Sequence, residues 1–138
     1  MAPLPVHYRS PVSTPLRAAD LPLPVRTAID AADDRKARQI ITLDLRGLSD
    51  ATDFFIVASG TSDAHLRGLA DAVLERLAAV GAHPHHVEGL TAGRWVLLDF
   101  IDFVVHLFHP ETRAFYQLER LWNDAPALVH GPVSERKG

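Results

Sequence analysis

Apolar residues at Val25, Ala28, Ile29 and Ala32 follow the i, i+3, i+4, i+7 spacing of one helix face, which predicts a first helix from about Leu23 to Arg38. The stretch Gln39-Ile40-Ile41-Thr42-Leu43-Asp44-Leu45 then reads as a strand, and Arg46 to Asp50 as a loop. Asp53-Phe54-Phe55-Ile56-Val57-Ala58 is nearly all apolar and stops at Ser59-Gly60, the pattern of a strand covered on both faces. Ser62 is a good N-cap for a second helix whose apolar face carries Leu66, Leu69, Ala70, Val73, Leu74 and Leu77, and Gly81 supplies its stop. A short strand is expected over Pro84 to Glu88, a turn over Gly89 to Gly93, and two longer strands over Arg94 to Phe100 and Asp102 to Phe108. Pro110 opens a last helix with Phe115, Leu118, Leu121 and Trp122 on its stripe. The order αββαβββα defines one α/β domain, a mixed β-sheet flanked by helices, without internal repeats.

The last two strands carry the most information. With a turn at Phe100-Ile101, antiparallel pairing sets Asp99 opposite Asp102, Leu97 opposite Val104 and Trp95 opposite His106. One face is then wholly apolar (Val96, Leu98, Phe103, Val105, Leu107) and belongs under the helices. The other mixes Trp95, Leu97, Asp99, Asp102, Val104, His106 and Phe108. Aromatic, aliphatic and charged side chains together on a sheet suit a protein partner, with Trp95 and Phe108 as anchors and Asp99, Asp102 and His106 for orientation. Apposed Asp99 and Asp102 call for a cation, a proton or a partner's Arg or Lys.

Composition narrows the class. The chain has 138 residues, a net charge of −3, eight His, ten Pro and no Cys, so disulfides, thiolate zinc sites and cysteine nucleophiles are excluded. Six of the prolines fall in the first 24 residues, among Ser10, Ser13 and Thr14. Residues 1–21 are therefore expected to be a flexible tail, 22–128 the folded domain, and 129–138 a second loose end. A transit peptide is the alternative for the first segment, disfavoured because proline breaks the amphipathic helix it needs. No apolar run approaches the roughly 20 residues of a membrane span. Residues 39–124 hold twelve acids and six arginines, a net −6, where phosphate binding needs a basic stripe. Little direct nucleic-acid binding is expected of that segment, and a cytoplasmic location is the default.

Five blocks, in order, resemble the ribosomal silencing factor family, also called Iojap-related proteins: Asp53 to Gly60 with Thr61-Ser62, Glu88-Gly89, Trp95-Val96-Leu97-Leu98-Asp99, Val104 to Phe108, and Arg113 to Trp122. The resemblance spans about residues 25–128. It implies a nucleotidyltransferase-like topology without that activity. It implies a translational repressor that binds the large ribosomal subunit through large-subunit protein fourteen and blocks joining of the small subunit, above all when nutrients are scarce. On that reading Trp95, Leu97, Asp99, Asp102, His106 and Phe108 carry the partner surface, and an acidic domain suits a basic ribosomal protein. Ile101 departs from the glycine usual in the family at the hairpin turn, where a β-branched residue resists positive φ. The turn is therefore wider here, or Ile101 makes an apolar contact of its own.

Catalytic alternatives are weaker. His83-Pro84-His85-His86-Val87-Glu88 places no three ligands on one side of a strand, so no metal is expected. A metal-dependent nucleotidyltransferase-like enzyme is the main rival, with phosphate at Gly60-Thr61-Ser62 and magnesium between Asp99 and Asp102. Against it, the strand after the second helix has one acid, and the only lysines, Lys36 and Lys137, lie outside the core. Ser62, Asp63 and His65 sit on one helix turn and form no relay. Asp53 caps a loop or pairs with Arg46, and Arg113 neutralises the acidic end of the hairpin. Tyr116 and Glu119 lie off the last helix's stripe, whereas Trp122 shares it. No cofactor and no catalytic residue are expected, and the mixed face is also compatible with a homodimer.

Overall fold

A computed structural model describes residues 16–91, 94–116 and 124–130, with side chains described except at 114–116. After a 3-10 turn at Ala18–Asp20 come α1 (Leu23–Asp34), β1 (Arg38–Asp44), β2 (Phe54–Ser59), α2 (Asp63–Ala79), β3 (His86–Glu88), β4 (Trp95–Asp99), β5 (Phe103–Phe108), α3 (Pro110–Tyr116) and β6 (Ala127–His130). The six strands form one mixed sheet in the order β3-β4-β5-β2-β1-β6. Only the central pair β2/β5 is parallel; its neighbours pair antiparallel. The expected α/β domain is therefore present, with one strand more than expected. β6 pairs with β1 along the sheet's edge and brings Val129 and His130, placed beyond the domain in the sequence reading, into the sheet.

Helices α1 and α2 pack on one face. Val25, Ala28, Ile29 and Ala32 of α1 join Leu66, Leu69, Ala70, Val73 and Leu77 of α2 and the inward residues Phe54, Ile56, Val96, Leu98, Phe103, Val105 and Leu107 in a single core. Each buried Val, Leu, Ile or Phe among them contributes about 1.5–3 kcal/mol by leaving water. Leu16 and Leu21 also belong to this core, so packed structure begins before residue 22. The α2 ends follow the expected chemistry: Ser62 Oγ accepts the His65 backbone N–H at 3.0 Å, and Gly81 takes φ +83 after the last turn.

The first helix is four residues shorter than its apolar period suggests. It ends at Asp34, Lys36 turns the chain with φ +64, and Arg38 already pairs with Ser59. Gln39 follows with φ +52, and the β1/β2 register shifts between Arg38 and Ile41. Beyond this bulge ordinary strand alternation holds: Ile40 enters the helix-side core, while Ile41 packs with Leu43, Leu45 and Ala125 on the far side.

The hairpin register is shifted by two from the expected one. Trp95 pairs with Phe108, Leu97 with His106 and Asp99 with Val104, so the tip is Ile101-Asp102. Asp99 and Asp102 are not opposite one another, and no like-charge apposition arises. Because side chains alternate with a period of two, the displacement leaves both faces with their expected residues.

Leu118, Leu121 and Trp122 on the last helix's stripe lie outside the described residues, as does Glu119. So do the side chains of Phe115 and Tyr116.

Candidate protein-binding face

The side of the sheet away from α1 and α2 carries the proposed surface. Trp95, Leu97 and Asp99 of β4 are half-buried, and Asp102 at the tip is exposed. Phe108 has no exposed surface and His106 retains 5%. Anchoring and orienting roles on the surface therefore do not suit these two. The cause is position: β5 runs through the middle of the sheet between β4 and β2, so flanking side chains roof it, whereas β4 lies next to the short edge strand β3.

Beneath the half-exposed residues the packing is aromatic. Trp95 lies against Phe108 with ring centroids 4.9 Å apart, and Phe55 meets the His106 imidazole edge-on at 4.5 Å. Trp95 Nε1–H donates to His106 Nδ1 at 3.2 Å, which fixes the indole's orientation and puts the imidazole proton on Nε2. Nε2 is buried and has no hydrogen-bond partner among the described residues. Phe55 completes this layer; it faces away from the helices because Phe55 pairs with Val104 across the parallel β2/β5 ladder. Sequence reasoning missed it, since two adjacent phenylalanines do not reveal which faces inward until β2 has its neighbours.

Gly89 positions β4 from the edge. It takes φ +88, and a Cβ there would collide with the Trp95 carbonyl oxygen. Only glycine lets the chain turn this close to the strand that bears Trp95. On β3, His86 Nε2 and Glu88 Oε2 meet at 2.6 Å, both exposed on the same side, as the alternation required. Among the described residues no group of three His, Asp or Glu is placed to hold a metal.

Burial pushes the His106 imidazole down from 6.5 to about 4, against the upward pull of the Asp99 carboxylate. The unfolded chain takes up this proton near pH 6.5 and the folded chain only near pH 4. Stability from the neutral, buried imidazole is thus complete above pH 6.5 and is lost as the pH falls towards 4. Urea titrations at pH 7 and pH 4.5 should show a loss of about 2–3 kcal/mol from this group. His106→Gln should show a correspondingly smaller loss. Equal losses in the two proteins would remove His106 as the source.

The other residues singled out by chemistry have structural partners. His65 Nδ1 accepts the Thr61 backbone N–H at 2.9 Å and Nε2–H donates to the Arg35 carbonyl at 2.7 Å, joining the start of α2 to the end of α1. Ser62 is occupied as the cap. Arg46 pairs with Asp44 at 2.8 Å and not with Asp53, whose backbone N–H bonds the Asp102 carbonyl at 2.9 Å. Arg113 does not approach the acidic hairpin tip. It lies at the opposite end of β5, donating from Nη1 to the Gln39 carbonyl at 2.6 Å and to Ser59 Oγ at 3.0 Å.

The fold and this face define a small α/β domain with a rigid, partly apolar sheet surface edged by carboxylates. Comparison with known proteins gives its family. The profile of the family described as ribosomal silencing factor during starvation matches residues 18–137, and the chain belongs to that family. It is 38% identical over 111 residues to the ribosomal silencing factor of Halalkalibacterium halodurans, covering 80% of this chain and 95% of that protein. It is 35% identical over 89 residues to the mouse protein named mitochondrial assembly of ribosomal large subunit protein 1, covering 62% of this chain and 39% of that one. The crystal structure of a Chromobacterium violaceum protein superposes with a TM-score of 0.71 at 30% identity, covering 89% of this chain and all of that one. Among the described residues, no helix is long and apolar enough to cross a membrane.

Proposed function

We propose that this chain is a cytoplasmic translational repressor that binds the large ribosomal subunit through large-subunit protein fourteen and blocks joining of the small subunit when nutrients are limiting. The observation that carries the reading is the half-exposed row Trp95, Leu97 and Asp99, held on an ordered layer of Phe55, His106 and Phe108. A large aromatic with an adjacent aliphatic and a carboxylate, prevented from moving by buried neighbours, is the composition of an interface centre. The acidic hairpin end favours a basic protein over ribosomal RNA as the contacted surface. Family membership and the large ribosomal subunit in the mouse relative's name support the large subunit as the site of action.

Steric exclusion needs no catalytic residue, metal or cofactor. Purified protein is expected to co-sediment with isolated large subunits and not with small ones. It should inhibit subunit joining equally with and without added nucleotide, and without free magnesium beyond what the subunits require. Inhibition that depends on a nucleotide would favour the nucleotidyltransferase-like alternative.

A further inference from the structure

The β4–β5 tip combines backbone strain with apolar exposure. Ile101 has φ +74, in the left-handed region that β-branched residues avoid, and its side chain is 56% exposed. With more than half of its surface in water, the side chain recovers little burial to offset that strain. The backbone around it, by contrast, is held from several directions. Asp99 Oδ1 accepts the Ile101 N–H at 2.8 Å, the Phe100 carbonyl accepts the Asp102 N–H at 2.9 Å, and the Phe103 carbonyl accepts the Phe100 N–H at 2.9 Å. The Asp102 carbonyl is bonded by the Asp53 N–H at 2.9 Å, tying the tip to β2. Beneath it, the Phe100 and Phe103 rings stack with centroids 4.8 Å apart and planes within 6°. Strained residues persist where their surroundings over-determine them, and such places cluster at binding sites.

We infer that Ile101 is a partner-contact residue, an apolar knob presented between Asp99 and Asp102 to an apolar recess bordered by lysines or arginines on the protein that covers the β4 face. The inference rests on the proposed ribosomal reading and extends its surface from Trp95 and Leu97 to the tip. Asp99 and Asp102 flank the knob, and Asp50 and Asp53 lie on the loop leading to β2. A phosphate backbone would meet repulsion at this end, so the occupant is a basic protein. Holding the knob in a fixed conformation lowers the ordering cost of association, which is what the strained turn provides.

The test compares the full chain with Ile101→Gly, Ile101→Asn and Trp95→Ala in thermal unfolding and in equilibrium binding to purified large subunits. Glycine and asparagine both accept positive φ, so both tip variants should unfold about 3–6 °C higher than the wild type. Both should bind about tenfold or more weaker. Wild-type affinity in both tip variants, with binding lost in Trp95→Ala, would overturn the inference and leave the ribosomal reading intact. Loss in Ile101→Gly with full affinity in Ile101→Asn would assign the effect to turn stiffness and likewise overturn it. Absence of wild-type binding to large subunits would overturn the ribosomal reading and the inference with it.

Discussion

Trp95→Ala is expected to weaken binding to the large ribosomal subunit several hundredfold, equivalent to about 3–4 kcal/mol, while leaving the domain folded. The indole is half-exposed, so its removal takes little surface out of the core. Its inner edge rests on Phe108, and its N–H is spent on His106 Nδ1. Without the indole, water reaches that nitrogen, so no buried acceptor is stranded, and the stability loss should stay near 1 kcal/mol. A partner loses much more: a large, flat apolar surface whose orientation is already fixed and whose ordering cost on binding is low. Trp95→Phe separates the contributions, since it keeps an aromatic surface against Phe108 and discards the hydrogen bond. It should bind between wild type and Trp95→Ala. Co-sedimentation with isolated large subunits, with circular dichroism and thermal unfolding as controls, decides the matter. Unchanged sedimentation of a folded Trp95→Ala protein would remove Trp95 from the interface.

The same region shows which structural features can be read from sequence. Face assignment survived a hairpin register displaced by two residues, because alternation depends on parity alone; Val96, Leu98, Phe103, Val105 and Leu107 do face the helices. Register depends on turn geometry, and a turn centred on Ile101-Asp102 requires positive φ at a residue type that seldom adopts it. Depth of burial was less legible again. Whether Phe108 and His106 stand on the surface or beneath it depends on the strands to either side, and the parallel β2/β5 pairing is a long-range fact that local pattern does not encode. β6 escaped for a simpler reason: four residues, two of them exposed, at an edge after Pro126 give too short a run for a period.

Arg113→Met is expected to lower stability by about 3 kcal/mol while leaving the proposed surface untouched. Arg113 is 6% exposed, and one guanidinium nitrogen links three separate pieces of chain. It projects from the middle of the seven-residue α3, bonds the carbonyl of the strained Gln39 bulge in β1, and bonds Ser59 at the end of β2. The bulge takes the Gln39 carbonyl out of the regular β1/β2 ladder, so the bond from Arg113 replaces one the ladder would have made. Methionine fills a similar volume but donates nothing, so the buried Ser59 hydroxyl loses this donor and the Gln39 carbonyl, on an exposed residue, is left to water. Arg113→Lys retains a positive charge but replaces the planar fork with a single ammonium, so it should recover only part of the loss. For a domain of this size the methionine variant should unfold roughly 10–15 °C below wild type. Binding to large subunits, measured well below that transition, should fall less than tenfold, because Trp95 and Leu97 keep their places on β4. Urea unfolding of both variants measures the effect, and a loss under 1 kcal/mol for Arg113→Met would mean that the Gln39 bulge holds its shape without the guanidinium.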